Sequence, residues 1–471
     1  MNWSVRIWGL MGRAAAVVAV FAVLTGCKPG PVPPPGESGE LVVATRNSPT
    51  TYFLDADGKP AGFEHDLVVL FAERQGWKAR FVVADDLEEL FATVAGGRAH
   101  LAAAGITASE ERRNRLRFGP NYGQVKEWVV CRPGERLPEK LEDLVGLRVE
   151  VVAGSTHVDR LRLHKHRLPA LRWVEMETPG SEELLERLDI GLADCTVVDS
   201  DALDVARNFH PALRPQFVLE SAQPQAWVLG RAMDLGFSRR VVAFFKDMEA
   251  SGELVRLKER YFGHVTRLQE ADVLGVLEKR GTLLRDLRRH FQEAQAETGL
   301  DWRLLAAVAY QESQWDAHAV SPTGVRGIMM LTEDTADHLG VKDRLDARES
   351  ILGGARYLLQ LKSGLLEAVP EPDRTWIALA AYNIGLGHLN DARGLARKLG
   401  KDPDQWRDMK MVLPLLSRRE HAAEMKYGFA RGGEARAFAE NVRIYYDILL
   451  KYEQPYRNLL GFDCGGRLKP C

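Results

Sequence analysis

Asp301-Trp302-Arg303-Leu304-Leu305-Ala306-Ala307-Val308-Ala309-Tyr310-Gln311-Glu312-Ser313-Gln314-Trp315 is the stretch on which the reading of this chain turns. Asp301 is placed to cap a helix N-terminus. Leu304, Leu305, Val308 and Ala309 recur at helical spacing, so the segment predicts a largely buried helix with Glu312 at its end. A carboxyl group there, beside aromatic residues, is partly desolvated, which disfavours its ionised form and raises its pKa. Such a group keeps a proton near neutral pH and can donate it. Taken alone, a glutamate at a helix end is more often an ordinary surface residue. Its neighbours in sequence change that weighting.

Around this helix the pattern stays helical. Leu284, Leu287, Phe291 and Ala294 mark an amphipathic helix before it, and from about His264 to Tyr446 strand signals are scarce. The last large domain is therefore expected to be mainly α. Upstream, strands alternate with helices. Leu41–Ala44, Arg80–Val83 and His100–Ala104 read as strands. Leu67, Leu70, Phe71 and Leu87, Leu90, Phe91, Val94 read as helix faces, and Asp57-Gly58 is a turn signal. A second α/β unit runs from about Leu147 to Val198, with strands at Arg148–Val152, Arg172–Glu175 and Cys195–Val198. Trp227–Leu229 reads as a strand returning to the first unit.

The residues after Glu312-Ser313 carry a specific resemblance. Trp315, Asp316, Ala319, Ser321 and Gly324 are followed by Gly327-Ile328-Met329-Met330-Leu331, and then by Ala381-Tyr382-Asn383-Ile384-Gly385-Leu386-Gly387. In order and spacing, over roughly residues 280–450, this resembles the soluble-lytic-transglycosylase family, which has a lysozyme-like α fold. Most members carry Gln where this chain has Met330. Met330 together with Gly324-Val325-Arg326 resembles a branch that places a solute-binding-like domain before the catalytic one. The resemblance implies a lyase acting on peptidoglycan glycan strands at the β-1,4 bond between N-acetylmuramic acid and N-acetylglucosamine. It implies one catalytic carboxyl group, Glu312, acting first as acid and then as base, and a 1,6-anhydromuramoyl product. Glycosidases with two carboxyl groups flank the bond with both. Asp316 is the nearest second candidate, but it sits where the chain leaves the helix and reads as a turn brace. By the same resemblance, Tyr382 and Asn383 hydrogen-bond near the sugar acetamido group and Glu312, and Ser321 orients Glu312 or the substrate. Met329 and Met330 line the sugar cleft or fill core, and Tyr445 contacts substrate.

The N-terminal α/β region resembles the family 3 bacterial solute-binding proteins over roughly residues 40–263. The pieces are Asp57-Gly58-Lys59, Gly62-Phe63-Glu64-His65-Asp66-Leu67, Gly105-Ile106-Thr107 to Glu111-Arg112, Gly154-Ser155-Thr156, and Gly252 to Tyr261-Phe262-Gly263. The implied fold is two-lobed, like a periplasmic binding protein, and closes on an amino acid or a muropeptide-like ligand. Arg112 falls where the family places a guanidinium for a ligand carboxylate, a pairing that suits its bidentate fork. Ser155 and Thr156 precede a helix, where backbone N–H groups favour anions. Asp199 falls where an acid for the ligand amine is common. The plainer readings also stand: Arg112 lies in a basic run with Arg113, Arg115 and Arg117, and Ser155, Thr156 and Asp199 are all good helix caps.

The first 26 residues read as a signal peptide. Arg6 and Arg13 precede the apolar run Ala14–Leu24, which is too short for a comfortable membrane span. Leu24-Thr25-Gly26-Cys27 resembles a lipobox, which implies lipidation at Cys27. Lys28 in the next position favours sorting to the outer membrane. Residues 27–39, rich in Pro, read as a stiff tether. The expected order is thus a multidomain chain with a binding domain over 40–266, a catalytic domain over 267–455 and a tail over 456–471. Of the remaining cysteines, Cys464 and Cys471 are close in sequence, and Cys131 and Cys195 pair only if the fold brings them together. No CxxC spacing exists, and His164 and His166 lack carboxylate company, so no metal and no cofactor is expected. A formal charge of −2 without a basic stripe gives nucleic acid no purchase.

Overall fold

The unbroken apolar run Leu41-Val42-Val43-Ala44 is buried on both faces, as a strand covered by helices on both sides requires. The computed structural model describes residues 30–456 apart from 56–57, 135–136, 179, 266–267, 269 and 322–323. Its strands are β1 (Glu40–Arg46), β2 (Phe53–Leu54), β3 (Pro60–Ala61), β4 (Lys78–Ala84), β5 (Leu101–Ala102), β6 (Arg117–Cys131), β7 (Val149–Val152), β8 (Val174–Met176), β9 (Cys195–Asp199) and β10 (Arg214–Leu229). Eight of them form one sheet in the order β4-β1-β5-β10-β6-β9-β7-β8, and β2 pairs with β3 in a small hairpin.

The two long antiparallel strands β6 and β10 join the halves of the sheet. β4, β1 and β5 run parallel on one side, and β9, β7 and β8 run parallel on the other. Each half has its own apolar layers, so the region is two lobes sharing a pair of crossing strands. Sequence patterning anticipated only Trp227–Leu229 of β10. The rest of β6 and β10 is half-exposed, interrupted by bulges, and lacks clean alternation. The strand expected at Arg172–Glu175 lies two residues later, at β8. Glu64, from the motif after the first turn, is buried and accepts from Trp227 Nε1 (2.7 Å) and Gly105 N (3.0 Å), tying the first lobe to β10.

Cys131 and Cys195 are directly opposed in register across β6 and β9, with Cα atoms 4.1 Å apart, and are disulfide-bonded. Cys27, Cys464, Cys471, the leader and the tail lie outside the described residues, as does Asp57 of the expected turn. The end of the Pro-rich segment is docked rather than extended. Val32 N donates to Gly97 O (2.8 Å), the His100 ring bonds Pro33 O (2.9 Å), and Pro35–Ser38 forms one helical turn with Pro35 buried. These bonds and the buried Pro35 hold the segment against the first lobe, while Pro31, Pro33 and Pro34 stay exposed.

The C-terminal domain is helical throughout. Helix Glu270–Lys279 passes through one π-type turn into Arg285–Thr298. Then follow Trp302–Ser313, Glu333–Leu339, Ala347–Ser363, Asp373–Ile384, Leu386–Lys398, Trp406–Val412 and Gly432–Tyr452. A single apolar cluster runs through all of them, with Leu305, Val308, Ile377, Ala381, Ile444 and Ile448 at zero exposure. The two domains meet where lobe helix Glu253–Phe262 packs on Trp406–Val412. There Arg443 donates to the carbonyl of Arg260 (2.9 Å), Lys410 pairs with Glu259, and His264 pairs with Asp447 at 2.6 Å.

Candidate active site

Asp301 caps the helix Trp302–Ser313 by accepting from Arg303 N (2.8 Å), as its position in sequence predicts. The helix is buried from Trp302 to Tyr310, and Glu312 emerges at its last turn. The chain then breaks sharply: Gln314 has φ 53° and Trp315 φ 66°. Across from them Met330 has φ 48°. Left-handed backbone at non-glycine residues persists only where packing holds it. Here Trp315 is buried with its indole donating to Ala306 O (2.8 Å), and its ring meets Tyr310 edge-on at 4.7 Å. Tyr445 closes the other side of Tyr310, also at 4.7 Å.

Two hydrogen bonds fasten the neighbouring segments to this helix end. Ser313 Oγ donates to Ile328 O (2.9 Å), and Tyr382 Oη donates to Met329 O (2.9 Å). The Gly-Ile-Met segment is thus clamped between the Glu312 helix and the helix Asp373–Ile384. Gly327 is required in it: φ is 80°, and a Cβ there would stand 1.7 Å from Arg344 O. Arg344 in turn donates to the carbonyls of Gly324 and Leu331, both at 3.1 Å.

Burial pushes the Glu312 carboxyl up to about 8 from the usual 4.5. Its side chain is only partly exposed; among the described residues no hydrogen-bond donor or cation offsets that burial, and no second carboxylate adds to it. Tyr382 is close enough to feel the Glu312 charge, which adds to burial in raising the phenol. At neutral pH this favours the protonated form of Glu312, whose side chain is partly open to solvent.

The other predicted residues take different places. Asn383 is exposed near the end of its helix, and its side-chain amide has no hydrogen-bond partner among the described residues. Tyr382 is buried, and its hydroxyl donates to Met329 O, bracing that segment. Met329 is core: it has zero exposure and packs against Gly354, where a Cβ would meet its side chain at 2.6 Å. Met330 is partly exposed beside it. Tyr445 is buried against Tyr310. Ser321 sits in the loop closed by its own N–H to Val325 O (3.0 Å). Asp316 accepts from His318 N (2.9 Å), the turn brace expected.

The Transglycosylase SLT domain model matches residues 289–405, and the model of the bacterial extracellular solute-binding proteins, family 3, matches residues 41–264. A protein of Thiobacillus denitrificans called membrane-bound lytic murein transglycosylase F is 46% identical over 462 residues, covering 98% of both chains. The chain belongs to the membrane-bound lytic murein transglycosylase F family. A second member, from Nitrosospira multiformis, is 46% identical over 459 residues, covering 96% of this chain and 95% of its own. Among solved structures, an ancestral arginine-binding protein bound to arginine aligns with 48% of this chain and 98% of its own, at 23% identity and a TM-score of 0.44.

The chain has a second candidate site between the lobes. Arg112, Ser155, Thr156 and Asp199 converge there on a cavity of about 40 Å³, with Arg46, Thr107 and His157. Arg112 is nine-tenths buried and donates to Gly154 O (2.7 Å) and Thr107 O (3.2 Å). The basic run around it therefore does not make it a solvated charge. Neither Ser155 nor Asp199 caps the following helix with its side chain. Sequence reasoning missed Arg46, Glu127 and His157 here. Each lies on a strand or helix with no motif of its own, and only the pairing of β6 with β9 brings Glu127 opposite Asp199.

Proposed function

We propose that Glu312 is the one proton-transferring side chain of this peptidoglycan lytic transglycosylase. What supports the reading is the burial of Glu312 at its helix end, which raises the carboxyl to about 8, with no second carboxylate beside it among the described residues. A protonated Glu312 donates to the β-1,4 glycosidic oxygen, and the N-acetylglucosamine hydroxyl leaves. Positive charge at muramic C1 is taken up by the substrate's own acetamido oxygen. Glu312, now a carboxylate in a dry site where its basicity is high, accepts the proton of the muramic C6 hydroxyl. That oxygen bonds to C1, giving the 1,6-anhydro ring and returning the proton to Glu312. No water is consumed, so the enzyme is a lyase. Asn383, Met330 and Ser321 are the proposed substrate contacts. Tyr382 and Met329 hold the segment, and Tyr445 acts through Tyr310.

Digestion of purified sacculi followed by mass spectrometry of the muropeptides tests this. Anhydro ends that vanish with Glu312→Gln are expected. Reducing ends would make the protein a lysozyme-type hydrolase. Equal background product from both proteins would make the domain a glycan-binding module.

For the N-terminal domain we propose a non-lytic, modulatory role, with Arg112 and Arg46 taking a carboxylate and Asp199 a cation in the cleft. Equal turnover with and without amino acids or muropeptides would refute it. The relatives are named membrane-bound, and no described helix is long and apolar enough to cross a membrane. Lipidation at Cys27 and residence on the periplasmic face of the outer membrane are the proposed attachment. The domain limits at 40–266 and 267–455 go with this reading.

A further inference from the structure

We propose that Glu127, His157 and Asp199 form a binding site for a divalent transition-metal ion of the zinc class, on the second-lobe wall of the interlobe cleft. Nothing in the transglycosylase reading depends on it.

Three separate elements deliver the ligands. Glu127 is on β6, directly opposite Asp199 at the end of β9. His157 is in the first turn of the helix Thr156–Lys165, which follows β7, the other neighbour of β9. One donor atom from each residue lies within 4.8 Å of the other two. His157 Nε2 and Asp199 Oδ1 are 3.2 Å apart. With bonds of about 2.0–2.1 Å, ligand atoms around a tetrahedral zinc stand roughly 3.3 Å from one another. The His–Asp pair already has that spacing, and a Glu127 oxygen lies within 4.8 Å of both.

The polar atoms left over point to a missing partner. Glu127 has zero exposure. One of its oxygens accepts from Thr156 Oγ1 (2.8 Å), while Oε2 has no partner among the described residues. His157 is 4% exposed and its Nδ1 also has none. Buried polar atoms without partners cost about 1–3 kcal/mol each and are rare enough to need a reason. An ion bound to Glu127 Oε2 would remove one of these costs. The Thr156 hydroxyl on the other oxygen would then fix that carboxylate's orientation, as outer-shell donors do.

The donor set selects the ion. An imidazole with two carboxylates suits zinc, nickel or copper better than magnesium or calcium, which take all-oxygen shells. Three protein ligands leave a fourth position open. The surrounding charges do not forbid the ion. Arg46 and Arg112 face the same cavity and Arg160 lies near Glu127, but Asp159 and Asp201 add negative charge. Arg112 is also directed at two carbonyl oxygens. The cavity of about 40 Å³ that His157 and Asp199 line, with Glu127 behind them, has room for two or three waters to complete the ion's shell, at roughly 10–15 Å³ each.

Calorimetric titration of the metal-stripped full-length protein with zinc chloride tests the proposal. One saturable site per chain is expected. His157→Gln and Glu127→Gln should each weaken it at least about tenfold, since even outer-shell changes cost 10–100-fold. His164→Gln, on the same helix, should leave it unchanged. No saturable site in the parent protein, or equal affinity in the His157 and Glu127 variants, overturns the proposal. Because a Glu127 variant can misfold, X-ray absorption at the zinc edge of the loaded parent protein gives an independent reading. A shell of one imidazole with oxygen donors supports the site, and a shell with no imidazole overturns it.

Discussion

Replacing Glu312 with Gln should separate stability from activity in a pH-dependent way. In the folded protein the carboxyl is raised to about 8 by burial, whereas in the unfolded chain it titrates at its ordinary 4.5. Below about pH 4.5 both states hold the proton and the group contributes no pH-dependent difference. As pH rises from 4.5 to 8, the unfolded chain releases its proton and the folded one does not, so the wild type loses stability across that window. At 1.36 kcal/mol per pKa unit the full shift corresponds to about 5 kcal/mol; the partial exposure of the side chain reduces this to about 2–3 kcal/mol. A neutral amide of the same shape does not carry this penalty. Thermal unfolding of Glu312→Gln against wild type should show curves that converge at pH 4 and separate by several degrees at pH 8, the variant melting higher. Lytic activity should be absent in the variant throughout. A stability difference that does not change with pH, or a wild type more stable than the variant at pH 8, would refute the assignment of Glu312 as a buried neutral acid.

Wild-type kcat/KM on sacculi should fall above about pH 8, where the acid form is lost. Tyr382→Phe removes the donor to Met329 O and should cost about 1–2 kcal/mol in unfolding free energy, with kcat lowered more than KM because the clamped segment shifts. Gly327→Ala places a methyl against Arg344 O at positive φ. It should destabilise the catalytic domain by about 2 kcal/mol or more in denaturant titration. Reducing the Cys131–Cys195 bond opens a loop of 64 residues in sequence separation and should lower the stability of the second lobe by up to about 4 kcal/mol, followed by calorimetry with and without reductant.

The catalytic helix was legible because burial, capping and apolar spacing all point one way between Asp301 and Ser313. The two α/β units were legible from their short parallel strands, which are continuous apolar runs. The joining strands β6 and β10 were not, since half-exposed, bulged strands carry no clean period. Glu312 and Asn383 could be picked out by motif, but motif does not distinguish touching a ligand from supporting what touches it. Tyr382 and Met329 stand in the motif, yet their side chains face inward. The cleft between the lobes shows the complementary gap: Arg46, Glu127 and His157 are far apart in sequence, and only strand register makes them neighbours.

The helix Gly432–Tyr452 backs the Glu312 helix through Tyr445, which packs on Tyr310, and also meets both lobes: Arg443 reaches the first, and Lys451 bonds Glu182 of the second at 2.9 Å. Excising the catalytic domain at residue 267 would therefore cut through shared interior. Arg443, 2% exposed in the intact chain, would lose its lobe carbonyl acceptors, and Lys410 would lose Glu259 while Glu440 stays beneath it. A fragment made that way starts with a frayed wall behind its own active site. Its turnover would measure that damage before it measured anything about release from the lobes.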